Sequence, residues 1–244
     1  LALDDGLIHS ESLLADVPQS FSGYQPGNFQ ASFSGPVSAS EALQRSLNVP
    51  AVELLDRLGP QRFVAALRRG GLKLEMPPGG TPNLSVILGG AALTLEGLVG
   101  AYTALARSGV SGRPRYFPQA AVEEARMLSA GAAFIVRDVL KSGGPVARQV
   151  DGGVGTRRGI AWKTGTSFGF RDAWAVGVSD RYTVGVWVGR PDGTPNPGFF
   201  GANIAAPLLV DIFTVIDDSP PSPRSPPAGV TTARICWPLG TRSD

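Results

Sequence analysis

An α+β architecture is what this sequence predicts, on three observations. Up to about residue 142, apolar residues recur at helical spacing between capping residues and glycines. From Ile160 the period changes to the two-residue alternation of strands, rich in β-branched and aromatic side chains. Residues 201–216 then return to a helical period. A block of helices, an antiparallel sheet and one further helix packed on that sheet is the α+β order. The 244 residues, 43% of them hydrophobic, suffice for one large or two small domains with a sizeable core.

Taken in order, Leu1-Ala2-Leu3-Asp4-Asp5-Gly6 reads as the last turns of a helix closing at Gly6. It has no initiating Met or signal peptide, so the chain is expected to be a fragment of a longer protein. Residues 16–37 form a structured loop in which Phe21, Tyr24, Phe29 and Phe33 are expected to be buried. Ser38-Ala39-Ser40-Glu41 is a capping box that opens a helix over Ala42–Leu47. Pro50 restarts a helix at its first position; Val52, Leu54, Leu55 and Leu58 form its apolar side, and Gly59 ends it. Pro60 begins another, with Phe63, Val64 and Leu67 inward, closing at Gly70-Gly71. Leu84–Ala106 is the most apolar stretch, but its Glu96 and four glycines favour a buried core helix over a membrane span. Within it, Thr94 caps a helix that runs to Arg107, and Ser129 caps one through Leu140.

Strands are expected over 160–167, 172–178 and 182–188, the last two joined as a hairpin at Ser179-Asp180. Their glycines would weaken isolated strands, so helices are expected on both faces. The 201–216 helix would turn Ile204, Leu208, Leu209, Ile212 and Phe213 inward. Three regions follow: a main domain over 1–217, a stiff proline-rich linker over 218–227, and the start of a C-terminal β domain over 228–244 with a strand around Arg234–Pro238.

Composition excludes several classes. A net charge of +2 with mixed signs does not point to nucleic acid. One cysteine, Cys236, allows no internal disulfide, and one histidine, His9, offers little for zinc or for a Ser-His-Asp triad. No residue set suggests a metal or organic cofactor.

Chemistry concentrates in Lys163-Thr164-Gly165-Thr166-Ser167. A cation, hydroxyls and a glycine in a strand can hold a carboxylate beside a reacting carbonyl. Lys163 supplies charge, while Thr164, Thr166 and Ser167 supply donors. Gly165, lacking a Cβ, lets a ligand approach the backbone. With an extended ligand alongside, the Thr166 N–H would meet a developing oxyanion. The plainer reading is a strand end that merely turns the chain. A second element is Ser46-Leu47-Asn48 at a junction of two helices; of five asparagines, only Asn48 has a serine two residues earlier. Such a junction can present both side chains to one cleft, although Asn48 could simply cap the next helix.

The stretches Gly35–Leu43, Ser46–Val52, Leu88–Tyr102 and Lys163–Trp174 resemble the transpeptidase domain of class A penicillin-binding proteins. Within that class, Lys163–Trp174 and Gly189–Pro195 are most similar to the 1C subtype. Lys-Thr-Gly is a signature of penicillin-binding proteins and serine β-lactamases. The resemblance implies their fold, with helices packed on an antiparallel sheet plus an all-helical region. It implies a peptidoglycan D,D-transpeptidase, a serine acyltransferase that takes D-Ala-D-Ala stem peptides and is acylated by β-lactams. It places Ser46 in proton transfer and Asn48 on a substrate amide. Lys163 and Thr164 would then hold the carboxylate together with Thr166, whose amide lies in the oxyanion hole. It also implies an upstream glycosyltransferase domain and membrane anchor, and a site on the periplasmic side of the bacterial inner membrane.

The class carries its nucleophile in Ser-x-x-Lys. Three residues before Lys73, Lys141 and Lys163 stand Gly70, Asp138 and Ile160, so these residues hold no such motif. The nucleophile is therefore expected upstream. A D,D-carboxypeptidase or β-lactamase-like hydrolase, and a non-catalytic peptidoglycan-binding module, are the competing readings.

Overall fold

Short paired segments and capped helices build one side of the molecule. The computed structural model describes residues 1–142, 159–220 and 222–243. Pro221, inside the expected linker, and Asp244 lie outside the described residues. Strand β1 (Leu13–Asp16) pairs antiparallel with β2 (Gly35–Ser38), closing the 17–34 loop at its base. Ser38 caps α1 (Ala39–Arg45) by accepting from the Glu41 N–H at 3.1 Å. The Glu41 carboxylate pairs with Arg45 one turn on. α1 thus starts three residues earlier than the capping box suggested and stops before Leu47, because Ser46 turns left-handed (φ 58, ψ 42).

Helix α2 (Asn48–Leu58) begins at Asn48, so Pro50 sits third in it rather than first. The first turn tolerates proline because its N–H needs no intrahelical acceptor. Gly59, at φ 89, ends α2, and Pro60 opens α3 (Pro60–Arg69). Val52, Leu55 and Val64 are buried as expected; Phe63 and Leu67 are only half-buried, and Ala66 takes the inner position.

The apolar 84–106 segment is not one helix. Leu84–Leu88 is a 3-10 turn ended by Gly89 at φ 96, and α4 (Leu95–Ala106) restarts where Thr94 accepts from the Gly97 N–H. No helix among the described residues is long and apolar enough to cross a membrane. Two three-residue strands, β3 (Val110–Gly112) and β4 (Glu124–Arg126), pair beyond α4. Ser129 then caps α5 (Ala130–Ser142) through the Ala132 N–H.

The central sheet has the order β5 (Ala161–Thr166), β6 (Asp172–Val178), β7 (Thr183–Gly189), all antiparallel. A π turn (Gly201–Ala205) leads into α6 (Ala206–Ile216). Helices cover both faces. Trp162, Ala173, Ala175 and Val186 pack against Leu209 and Phe213 of α6, while Ala161 and Val178 pack against Leu105 and Leu140 of α4 and α5. The strand glycines are notches for these helices. A Cβ on Gly177 would collide with Phe213, and one on Gly185 with Leu95 and Val99. Each buried Leu or Phe on these faces contributes about 1.5–3 kcal/mol.

Leu208, expected inward, is 46% exposed. The π turn closes with an Ala206 N–H to Gly201 carbonyl bond, one residue longer than an α turn. The inward face therefore centres on Leu209 and Phe213. Phe29 and Phe33, also expected inside, are 59% and 41% exposed. Asp16, not an aromatic residue, is the buried centre of that loop.

The proline-rich segment is tethered to the domain. The Ser222 N–H donates to Asp180, Arg181 donates to the Ser219 hydroxyl, and the Arg224 guanidinium lies over the Phe134 ring. After it, β8 (Ile235–Cys236) and β9 (Thr241–Arg242) form a small hairpin whose Gly240 rests on residues 11–13.

Candidate active site

The candidate site lies where the end of α1 meets the outer edge of β5 through the Lys163–Ser46 contact. Among the described residues, β5 is the outer strand of its sheet and pairs only with β6. Its register with β6 and the Ser167 N–H to Asp172 carbonyl bond at 3.0 Å set which groups pair inward. In an antiparallel ladder alternate residues turn their main-chain groups away from the partner. The N–H and C=O of Thr164 and Thr166 therefore face the open edge, ready for another extended chain. On the strand face towards α4 and α5 stand Lys163 and Gly165.

Lys163 reaches Ser46. Its Nζ donates to the Ser46 Oγ and, at 2.8 Å, to the Thr164 carbonyl. The residue is half-buried, and burial of its amine lowers the pKa to about 8. The ammonium is thus still the main form at neutral pH, yet close enough to neutrality to exchange a proton with a hydroxyl. Ser46 holds its hydroxyl there from a left-handed backbone at the end of α1.

Asn48 lies two residues on, in the first turn of α2. Its Nδ2 donates to the Gly27 carbonyl at 2.7 Å, and its N–H donates to Asn28 Oδ1 at 2.8 Å. One amide hydrogen and Oδ1 remain to meet a ligand amide. Thr166 accepts the Gly201 N–H at 3.0 Å, which leaves its own O–H to donate. Gly165 is exposed, and a Cβ there would make only ordinary contact with Trp174 at 3.6 Å. The fold itself does not demand glycine at that position.

The structure thus brings Lys163 and Ser46 into direct contact and sets Asn48 beside Ser46. The Ser167 hydroxyl accepts the Asp172 N–H at 2.8 Å inside the β5–β6 turn, which leaves its O–H to donate. His9 is tied to the main chain, with Nδ1 accepting from the Glu11 N–H and Nε2 on the Gly240 carbonyl at 2.7 Å.

Sequence reasoning missed Gly201 and the residues behind Asn48. A Cβ on Gly201 would strike the carbonyls of Gly165 and Trp174, so glycine is required for the backbone to lie against β5. Its place at the opening of an apolar helical period was the only available signal, and that signal reads equally as a cap.

A family model described as "Penicillin binding protein transpeptidase domain" matches residues 1–213. Penicillin-binding protein 1C of Escherichia coli (strain K12) is 49% identical over 98% of this chain and 31% of its own length. Penicillin-binding protein 1A of Clostridium acetobutylicum is 28% identical over 87% of this chain and 28% of its own. The chain thus spans less than a third of the length of these curated relatives. Among solved structures, penicillin-binding protein 1A from Haemophilus influenzae superposes with a TM-score of 0.84 at 21% identity, covering 97% of this chain and 43% of that one. PonA1 from Mycobacterium tuberculosis, in complex with penicillin V, gives 0.75 at 23% identity, covering 93% and 69%.

Proposed function

The chain belongs to the penicillin-binding protein transpeptidase family, and from that premise we propose that it forms most of a peptidoglycan D,D-transpeptidase domain whose nucleophilic serine lies on a preceding segment. The observation that carries the reading is the Lys163 amine on the Ser46 hydroxyl, beside Asn48, at the open edge of β5.

A stem peptide ending in D-Ala-D-Ala lies along β5, bonded to the outward main-chain groups of Thr164 and Thr166. Its terminal carboxylate meets the Lys163 ammonium and the threonine hydroxyls. The Asn48 amide holds the peptide bond that precedes the reacting carbonyl. The serine oxygen attacks that carbonyl, and the Thr166 N–H stabilises the negative charge that develops on its oxygen. The serine proton passes through the Ser46–Lys163 pair to the departing nitrogen. The C–N bond breaks, and terminal D-Ala leaves as an amine. An amine from a neighbouring strand then attacks the ester, restoring the serine and forming the cross-link. A β-lactam carries a carboxylate and a strained amide in a similar relation, which suits it to the same groups. The reaction is placed on the outer side of the cytoplasmic membrane, where peptidoglycan lies.

The test uses the protein extended to include the serine segment. Lys163→Ala should slow covalent labelling by a fluorescent penicillin on the order of a hundredfold to a thousandfold, the cost of losing one preorganised charged donor. Labelling at the unaltered rate removes Lys163 from the mechanism. Release of D-Ala only when an acceptor amine is present separates transfer from hydrolysis.

A further inference from the structure

We propose that Asp16 and Asn28 are positioning residues that fix the orientation of Asn48; the inference rests on the functional reading of Asn48 given above.

Asp16, at the end of β1, is 0% exposed. Burial of a carboxylate is costly, and neutral donors offset that cost less well than a paired cation would. Both of its oxygens accept from such donors: Oδ1 from Asn28 Nδ2 at 2.7 Å, and Oδ2 from the Ser34 N–H at 2.8 Å. A carboxylate can only accept, so it compels the NH2 end of the Asn28 amide to face it. The second Nδ2 hydrogen goes to the Ser32 carbonyl at 2.8 Å. With its nitrogen so committed, Asn28 turns Oδ1 the other way, onto the N–H of Asn48 at 2.8 Å.

That N–H belongs to the start of α2, where Leu47 provides no side-chain cap. Asn28 does the capping from a distant loop. The neighbouring Gly27 carbonyl takes the Asn48 side-chain amide at 2.7 Å. Backbone and side chain of Asn48 are therefore both held by residues 27 and 28, and the amide ends of Asn28 are set by Asp16. The next residue, Phe29, reaches two loops beside β5. The Phe29 ring lies 6.1 Å from Phe170 and 5.7 Å from Phe200, on the loops that flank Ser167 and Gly201. One loop thus touches both Asn48 and the loops next to the Lys163 strand.

The experiment again uses the protein extended to include the serine segment. Fluorescent-penicillin labelling is separated into non-covalent affinity and acylation rate, with thermal unfolding followed in parallel. The variants are Asn28→Ala, the milder Asp16→Asn, Asn48→Ala, and the Asn28→Ala/Asn48→Ala pair. Asn28→Ala and Asp16→Asn are expected to slow acylation between about tenfold and a hundredfold in protein that remains folded. The double variant should label as slowly as Asn48→Ala alone, because residues acting through one another are not additive. The relay is overturned if either single variant acylates at the wild-type rate per folded molecule. It is equally overturned if the effect of Asn28→Ala multiplies that of Asn48→Ala. Wild-type labelling by Asn48→Ala would instead bring down the functional reading itself, and the relay with it.

Discussion

Ser46 occupies a backbone conformation that glycine holds with less strain. At φ 58 and ψ 42 it closes α1, the position where glycine is the usual choice. A left-handed L-residue costs about 1–2 kcal/mol, a cost met here in placing the Ser46 hydroxyl on the Lys163 amine. Ser46→Gly removes that strain but also the hydroxyl that accepts from the Lys163 amine, a charged hydrogen bond worth about 1.5–3 kcal/mol; with the entropy cost of glycine included, the unfolding free energy should fall by up to about 2 kcal/mol, while penicillin labelling slows strongly. Thermal unfolding and labelling on the same sample check both halves; a variant that labels normally would leave the strain unexplained. Lys163 gives a pH signature. Its amine, lowered by burial to about 8 from 10.5, carries charge below that value and loses it above. In the free enzyme extended to include the serine segment, kcat/KM for a carboxylate-bearing donor should fall as pH rises through about 8. Stability moves the other way. Between about pH 8 and 10.5 the unfolded chain holds a proton that the folded chain has released, so the unfolding free energy rises with pH across that window. A flat kcat/KM profile from about pH 7 to 9 would contradict the charged role of Lys163.

At the scale of elements, β5 is useful because, among the described residues, one edge is unpaired while both faces are covered. The π turn at Gly201–Ala205 sets that edge by donating the Gly201 N–H to Thr166. Gly201→Ala should destabilise the domain by about 1–3 kcal/mol, the range for forcing extra volume into a packed site. It should also slow labelling beyond what the lost folded fraction explains. Denaturant unfolding beside the labelling rate measures the two, and a variant as stable as wild type would mean that the backbones separate without strain. The long strands and capped helices were readable in the sequence because seven residues of alternation at Asp172–Val178, or a Ser or Thr before an apolar helical period, are local signals. The pairs β1–β2 and β3–β4 were not. Strands of three or four residues carry too little alternation, and what pairs them is their surroundings.

Across the whole molecule, Asp180 joins the sheet to the proline-rich segment. It pairs with Arg137, which is only 3% exposed, at 2.6 Å and accepts the Ser222 N–H at 2.9 Å. Burial pushes its carboxyl up, but the Ser222 N–H and the Arg137 guanidinium outweigh that effect and hold the pKa below its ordinary value. Asp180→Ala should cost about 2–3 kcal/mol, less than a fully buried pair because Asp180 is partly open to water. It should also speed proteolysis between residues 219 and 227. Because the carboxyl is depressed, its contribution is complete above the ordinary carboxylate pKa and disappears as pH falls through the folded value, so acid should have the same effect. Unchanged digestion in the variant would show that the segment is held by other contacts.

The sequence by itself determined the α+β order, the helix ends marked by Ser38, Thr94 and Ser129, and the concentration of chemistry in Lys163–Ser167 and Ser46–Asn48. These rest on periodicity and on residue types a few positions apart. Only the tertiary structure decided that Lys163 meets Ser46 across 117 positions of chain, that Ser167 serves the turn, and that Asp16 and Asn28 stand behind Asn48. Such contacts depend on where a hydrogen bond can be completed once the chain has closed on itself, and local pattern does not encode that.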